Sequence, residues 1–164
     1  MLQKELLLVN SIKPWENPKL STNGTIGGST FAVTSTGDAG PSGHNGNPIW
    51  QAFDKNESTT FFDRCGSNAT EDRLTITMYN PNPVKLTSVT VTPGYWGFET
   101  AILQYSDNGS SWTDLVTIGN NANTISHNGF HKYWRMRKVS YGNNSGGWRN
   151  CQVTEIVLKG WVKG

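Results

Sequence analysis

Ile102-Leu103-Gln104-Tyr105-Ser106-Asp107-Asn108-Gly109-Ser110-Ser111-Trp112-Thr113 is the stretch from which the fold is read. Leu103 and Tyr105 alternate with Gln104 and Ser106, the period-2 pattern of a strand with one buried and one wet face. Asp107-Asn108-Gly109 supplies residues that tolerate positive φ, so the chain can reverse there. Trp112 returns a large apolar ring beyond the turn. The stretch therefore reads as a β-hairpin, and its alternation recurs along the chain. Residues 30–34 form one such run, and residues 74–78 set three apolar side chains on one face. Asn80-Pro81-Asn82-Pro83 reads as the turn that ends that strand. Residues 86–92 place Val89 and Val91 together, residues 115–118 precede an Asn-rich turn, and residues 153–158 close the series. Trp134 and Met136 share one side of a further strand, where Trp134, like Trp112, reads as core. Arg135 and Arg137 alternate with them as solvated or paired residues. Strands separated by turns, without intervening helical periodicity, predict an all-β fold, an antiparallel β-sandwich.

The hairpin resembles the "QYSDDGxxW" segment of the discoidin family, also called coagulation factor 5/8 type C or galactose-binding-like domains. Three further segments resemble that family in the family's order. Ala52-Phe53-Asp54-Lys55-Asn56-Glu57-Ser58-Thr59-Thr60-Phe61-Phe62 is similar to "AFDGxxxTxW", Tyr133-Trp134-Arg135-Met136-Arg137 to "RYVRI", and Glu155-Ile156-Val157-Leu158-Lys159-Gly160 to "EIEVYG". Phe62 stands where the family usually has Trp, and Lys55 where it usually has Gly. The resemblance implies a jelly-roll, galactose-binding-domain-like sandwich over residues 28–164. Residues 1–27 are left as an N-terminal arm that anchors or packs on the domain, or as a leader with an ordinary first strand.

Composition bounds the function. A chain of 164 residues holds one domain with a substantial core. Only 16% of residues are charged and the net charge is +2. Phosphate binding needs a concentrated basic face, and a balance so near neutral argues against nucleic acid as a main partner. No apolar run reaches the roughly 18 residues of a membrane-spanning helix. Residues 1–10 carry Glu5 ahead of a short apolar run and make a poor signal peptide. Two settings are expected: a phage virion component assembled in a host cytoplasm, or a module of a larger secreted enzyme. In the inferred fold Cys65 and Cys151 fall near loops at one end. One disulfide, stabilising by roughly 4 kcal/mol, and two buried thiols both remain open.

The first candidate site is for a cation. Asp54, Asn56 and Thr59 fall within six residues of a turn. Ca²⁺ takes about six to eight oxygens, carboxylates among them, whereas Asp and Asn also cap turns without a metal. The resemblance implies a structural Ca²⁺ here, with Glu155 supplying a second carboxylate from the last strand.

The second candidate is a ligand surface on three aromatic and polar loops. They contain His44, the pair Tyr95 and Trp96, and the group Asn144, Trp148 and Arg149; Arg64 reaches the same end. Trp or Tyr can stack on the apolar face of a pyranose, while Asn, Arg and His satisfy its hydroxyls. Each of these residues also has a structural reading, as core or as an ordinary loop side chain.

Catalysis is not expected. There is no acid/base pair beyond the cation loop, no Gly-x-Ser-x-Gly elbow and no phosphate loop. His127 and His131 are four apart, but Asn128-Gly129 between them breaks a helix, so no zinc-type pair is expected. The expected function is non-catalytic, lectin-like glycan binding by a multivalent or oligomeric protein, extracellular or on a phage virion. The alternative is a structural role against other virion subunits through the same loops or the 1–27 arm; Trp96-Gly97-Phe98 resembles the apolar spikes of the family's lipid-binding members.

Overall fold

In the computed structural model, residues 11–65, 73–141, 143–145 and 148–164 are described, the side chains of Cys65 and residues 143–145 excepted. Among these residues ten strands follow in order: β1 (Ile12–Glu16), β2 (Ala32–Ser35), β3 (Phe61–Cys65), β4 (Leu74–Pro93), β5 (Thr100–Ser106), β6 (Thr113–Gly119), β7 (Asn121–Thr124), β8 (His131–Val139), β9 (Asn143–Ser145) and β10 (Trp148–Lys163). Among the described residues the only helical elements are short turns at Gly40–Ser42, His44–Gly46 and Ile49–Phe53. The strand order is β1-β10-β4-β8-β5-β6, with β2 and β7 also on β4 and β3 and β9 also on β10. Every pairing among the described residues is antiparallel.

Two long strands organise the sandwich. The first half of β4 pairs with β2 and β8, and its second half with β10 and β7. β10 likewise carries β3 and β9 along its beginning and β4 and β1 along its remainder. Alternate residues of both strands point inward: Leu74, Ile76, Met78, Val89, Val91 and Ile156 are almost completely buried. Each such side chain contributes roughly 1.5–3 kcal/mol on burial.

Three sequence expectations are corrected. Asn80–Pro83 does not end the strand; β4 runs through it, with a register shift against β8 between Tyr79 and Val84. Proline's fixed φ suits extended backbone, and its missing donor falls where the pairing is already interrupted. Gln104 and Ser106 are not on a wet face, being only 3% exposed each. β5 lies between β8 and β6, so Gln104 bonds the side chains of Asp114 and Arg135. Ser106 accepts bonds from the amides of Asn108 and Gly109 in the hairpin turn. Trp112 is not core but half-buried, covered by the Arg135 guanidinium 4.1 Å from its ring centre. Trp134 and Met136 are buried.

The segment after residue 10 packs on the sandwich. β1 pairs with the end of β10, Trp15 packs 6.0 Å from Phe31, and Leu158 N–H donates to the buried Asn17 Oδ1 at 2.7 Å. Residues 1–10, the start of the proposed arm, lie outside the described residues.

Candidate functional site

Register between β3 and β10 builds the site. Phe62 lies opposite Gln152 and Arg64 opposite Asn150, so alternation puts all four on one face together with Trp148. Arg64 Nε donates to Asn150 Oδ1 at 2.8 Å. That bond holds the guanidinium 5.5 Å from the Phe62 ring centre and 5.7 Å from that of Trp148. His44 meets Phe62 edge-on at 5.0 Å. Trp148 is 45% exposed, while Asn150 is completely buried beneath it. A fixed cation, an imidazole and an open indole thus surround one buried phenyl ring.

The turn that delivers His44 depends on Gly43. Its φ is +67°, and a Cβ there would lie 1.8 Å from the Asn47 carbonyl oxygen. No other residue fits that close approach.

The Tyr95–Trp96 loop reaches the same surface from the other side of β10. Gly94 N–H donates to the Gln152 carbonyl and Gln152 N–H to the Gly97 carbonyl, both at 2.8 Å. The Gln152 side chain accepts from Trp96 N–H at 3.2 Å and donates to Thr60 Oγ1 at 3.2 Å. Tyr95 is 83% exposed and sits edge-on to the half-buried Trp96 at 4.9 Å.

The structure therefore brings His44, Arg64 and Trp148 together and sets Trp96 and Tyr95 beside them through Gln152. Arg149 belongs elsewhere: it lies 5.4 Å from the ring of Tyr141, whose hydroxyl donates to the buried Asp63. Alternation places it on the face opposite its neighbour Trp148. The backbone of Asn144 pairs with Arg149, and its side chain lies outside the described residues. Sequence reasoning did not single out Asn150 and Gln152 as site residues. The signal was their period-2 spacing from Trp148. Register sets Cys65 opposite Arg149 and the buried Cys151 opposite Asp63, two rungs apart.

The cation loop is compact. Asp54 and Glu155 are 4% and 6% exposed. Asn56 N–H donates to Asp54 Oδ1 at 3.0 Å, Thr59 Oγ1 bonds Asp54 Oδ2, and Lys55 N–H donates to Glu155 Oε1 at 3.3 Å. Lys55 takes φ +57°, so the loop keeps the left-handed turn that Gly would make easily. Among the described residues Glu155 Oε2 is buried without a hydrogen-bond partner. Burial, with the Asp54 charge adding to it against the Lys55 amide, pushes the Glu155 carboxyl up to about 7. Two buried carboxylates, a hydroxyl, a carbonyl and one unsatisfied carboxylate oxygen fit the hard-oxygen donor set of Ca²⁺. Among the described residues no group of three or more His, Cys, Asp or Glu is placed to hold a metal. A calcium loop needs fewer, because carbonyls and hydroxyls complete it.

The sequence matches no protein-family model and none of the curated proteins. Solved structures do match. CpGH89CBM32-5 of Clostridium perfringens, in complex with GalNAc-β-1,3-galactose, superposes with a TM-score of 0.57 at 16% identity, covering 78% of this chain and 94% of that one. The family 32 carbohydrate-binding module of C. perfringens NanJ, in complex with galactose, gives 0.54 at 13% identity over 79% and 93%. This chain has their fold. That fold is the galactose-binding-like β-sandwich implied by the hairpin and its three companion segments. A family 89 glycoside hydrolase of C. perfringens matches with a TM-score of 0.60 at 19% identity over 80% of this chain. The chain spans 14% of that enzyme's length. Among the described residues no helix is long and apolar enough to cross a membrane.

Proposed function

We propose that this chain is a non-catalytic carbohydrate-binding module that attaches to galactose-type glycans. The observation that carries the reading is Arg64, pinned by Asn150 between Phe62 and the open ring of Trp148. Trp148 stacks on the apolar face of a pyranose, Arg64 donates to two of its hydroxyls, and His44 supplies a further donor or acceptor. Trp96 and Tyr95 extend the platform toward a second sugar unit. The fold shared with modules solved with galactose and with GalNAc-β-1,3-galactose supports this choice. The fixed donors also leave little ordering entropy to lose on binding.

Ca²⁺, held by Asp54, Glu155, Thr59 and the loop carbonyl of Asn56, ties the loop to β10 in this reading and takes no part in catalysis. A shallow site with one stacked ring gives a Kd on the order of 0.1–1 mM, or about −4 to −5.5 kcal/mol. Useful attachment therefore calls for several copies, whose avidity gains factors of roughly 10²–10⁴. The likeness to part of a glycoside hydrolase supports a module of an extracellular multidomain enzyme, and a phage virion adhesin is the other setting. The test is a glycan array of the multimerised protein in Ca²⁺ and in EDTA. Selective binding to galactose or GalNAc termini is the expected result. A blank array from folded protein overturns the reading in favour of a structural role.

A further inference from the structure

β10 begins at Trp148 and ends beside a second surface, roughly 40 Å further along the strand. Two clefts open there side by side. One, of about 440 Å³, is lined by Pro14, Trp15, Glu16, Lys159 and Trp161. The other, of about 640 Å³, is lined by Lys85, Ser126, His127 and Asn128. Thr87 lines both, so they form one groove. Trp161 lies opposite Pro14 of β1 and Lys85 of β4, which carries the groove across three strands. Its indole is 40% exposed.

The charges in this groove are unbalanced. Lys85 in the lining and Lys163 beside the groove place their ammonium groups 5.7 and 4.9 Å from the centre of one ring, Phe130. Among the described residues neither they nor Lys159 has a carboxylate within ion-pair distance. Glu16, the one acid among the described residues lining the groove, pairs with Lys55 at 2.5 Å and also faces Lys159 across the β1–β10 rung. The lysines outnumber that one carboxylate, and the excess positive charge attracts an anion. Beside them stand an open indole and the hydroxyl and amide groups of Thr87, Ser126 and Asn128.

We propose that this groove is a second carbohydrate-binding site, for an acidic glycan built of uronate residues. Trp161 stacks on a pyranose, Lys85, Lys159 and Lys163 receive carboxylates, and Thr87, Ser126 and Asn128 bond ring hydroxyls. An acidic peptide would meet the lysines but leave the indole and the hydroxyl row without matching partners. The proposal rests on the reading of the chain as a glycan binder and extends it to a surface remote from Trp148.

The test is calorimetric titration of the full chain with oligogalacturonate and, separately, with galactose. The wild type is compared with Lys85→Gln/Lys163→Gln, Trp161→Ala and Trp148→Ala, with circular dichroism verifying each fold. Oligogalacturonate binding is expected to weaken about tenfold in the lysine and Trp161 variants and to be unchanged in Trp148→Ala, with galactose showing the reverse. Three results overturn the proposal: no oligogalacturonate binding by the wild type, binding that survives both groove variants, or equal binding of a polyglutamate peptide. Loss of galactose binding alone, with oligogalacturonate retained, counts against the Trp148 site and leaves the groove standing.

Discussion

The Nε2 atoms of His127 and His131 stand 2.9 Å apart. His131 Nδ1 lies 2.7 Å from Asp107 Oδ1 in the hairpin turn. A carboxylate accepts from Nδ1–H, which leaves His131 Nε2 as acceptor for His127 Nε2–H. The Tyr105 ring stacks on both imidazoles, at 4.6 and 4.1 Å. The broken helix argued against a zinc-type pair; an extended loop and the start of β8 bring the rings together as a hydrogen-bonded pair instead.

This pair is expected to make the fold acid-sensitive. Burial, and secondly the charge of His131, hold the His127 pKa below its ordinary value. A histidine depressed in the folded state favours folding while neutral. Its contribution is full above the unfolded value of about 6.5 and is lost as pH falls below it. The melting temperature is expected to fall between pH 7.5 and 5.0, and His127→Gln should flatten that fall. Scanning calorimetry of both proteins checks it, and an identical pH profile in the variant contradicts the role given to the pair.

Trp148 and Arg64 should separate binding from folding. Trp148 is exposed, so Trp148→Ala is expected to weaken galactose binding at least tenfold and leave the melting temperature nearly unchanged. Arg64→Ala also removes the donor to the buried Asn150 Oδ1. An unsatisfied buried acceptor costs about 1–3 kcal/mol, which for a domain of this size lowers the melting temperature by several degrees. Titration and thermal melts on the two variants give the comparison. Equal destabilisation would mean that Trp148 is structural.

The folded frame was legible because it follows from alternation. Leu103, Trp134, Met136, Val89 and Val91 sit at period-2 positions, and burial at those positions is what a sandwich requires. Pattern alone could not see what lies above the outer face. Gln104 reads as solvent-facing until Arg135 and Asp114 close over it. Loop residues were legible as candidates but not as an arrangement. His44 and Arg64 are 20 residues apart, and only the β3–β10 register sets both around Phe62. Arg149 looked equivalent to Trp148 in the sequence, and alternation turned it to the other face.

Calcium should stabilise through Glu155. With the cation at about 100 times its Kd, the gain is roughly 2.7 kcal/mol, or about 5–10 °C in melting temperature. Glu155→Gln removes one of two crowded charges and a ligand together. It is expected to raise the melting temperature in EDTA and to abolish the response to Ca²⁺. Thermal melts of wild type and variant in Ca²⁺ and in EDTA decide it, and an unaltered response in the variant would exclude Glu155 as a ligand.

Gly43→Ala tests whether the His44 turn is built for binding. The added methyl would strike the Asn47 carbonyl at a left-handed φ, so the turn must shift. Asn47 N–H is itself bonded to the His44 carbonyl, and the Asn47 carbonyl accepts from Phe62 N–H at 3.2 Å. The displacement therefore passes directly to the imidazole and to the edge of β3. Gly43 has φ +67° and ψ 173°, a conformation essentially confined to glycine, so an alanine there costs about 1–3 kcal/mol before any clash is relieved. Gly43→Ala is expected to weaken galactose binding more than His44→Ala, since it moves the floor of the site as well as one of its walls. Should His44→Ala weaken binding and Gly43→Ala leave it intact, the turn would be a carrier for the imidazole with no fixed geometry of its own.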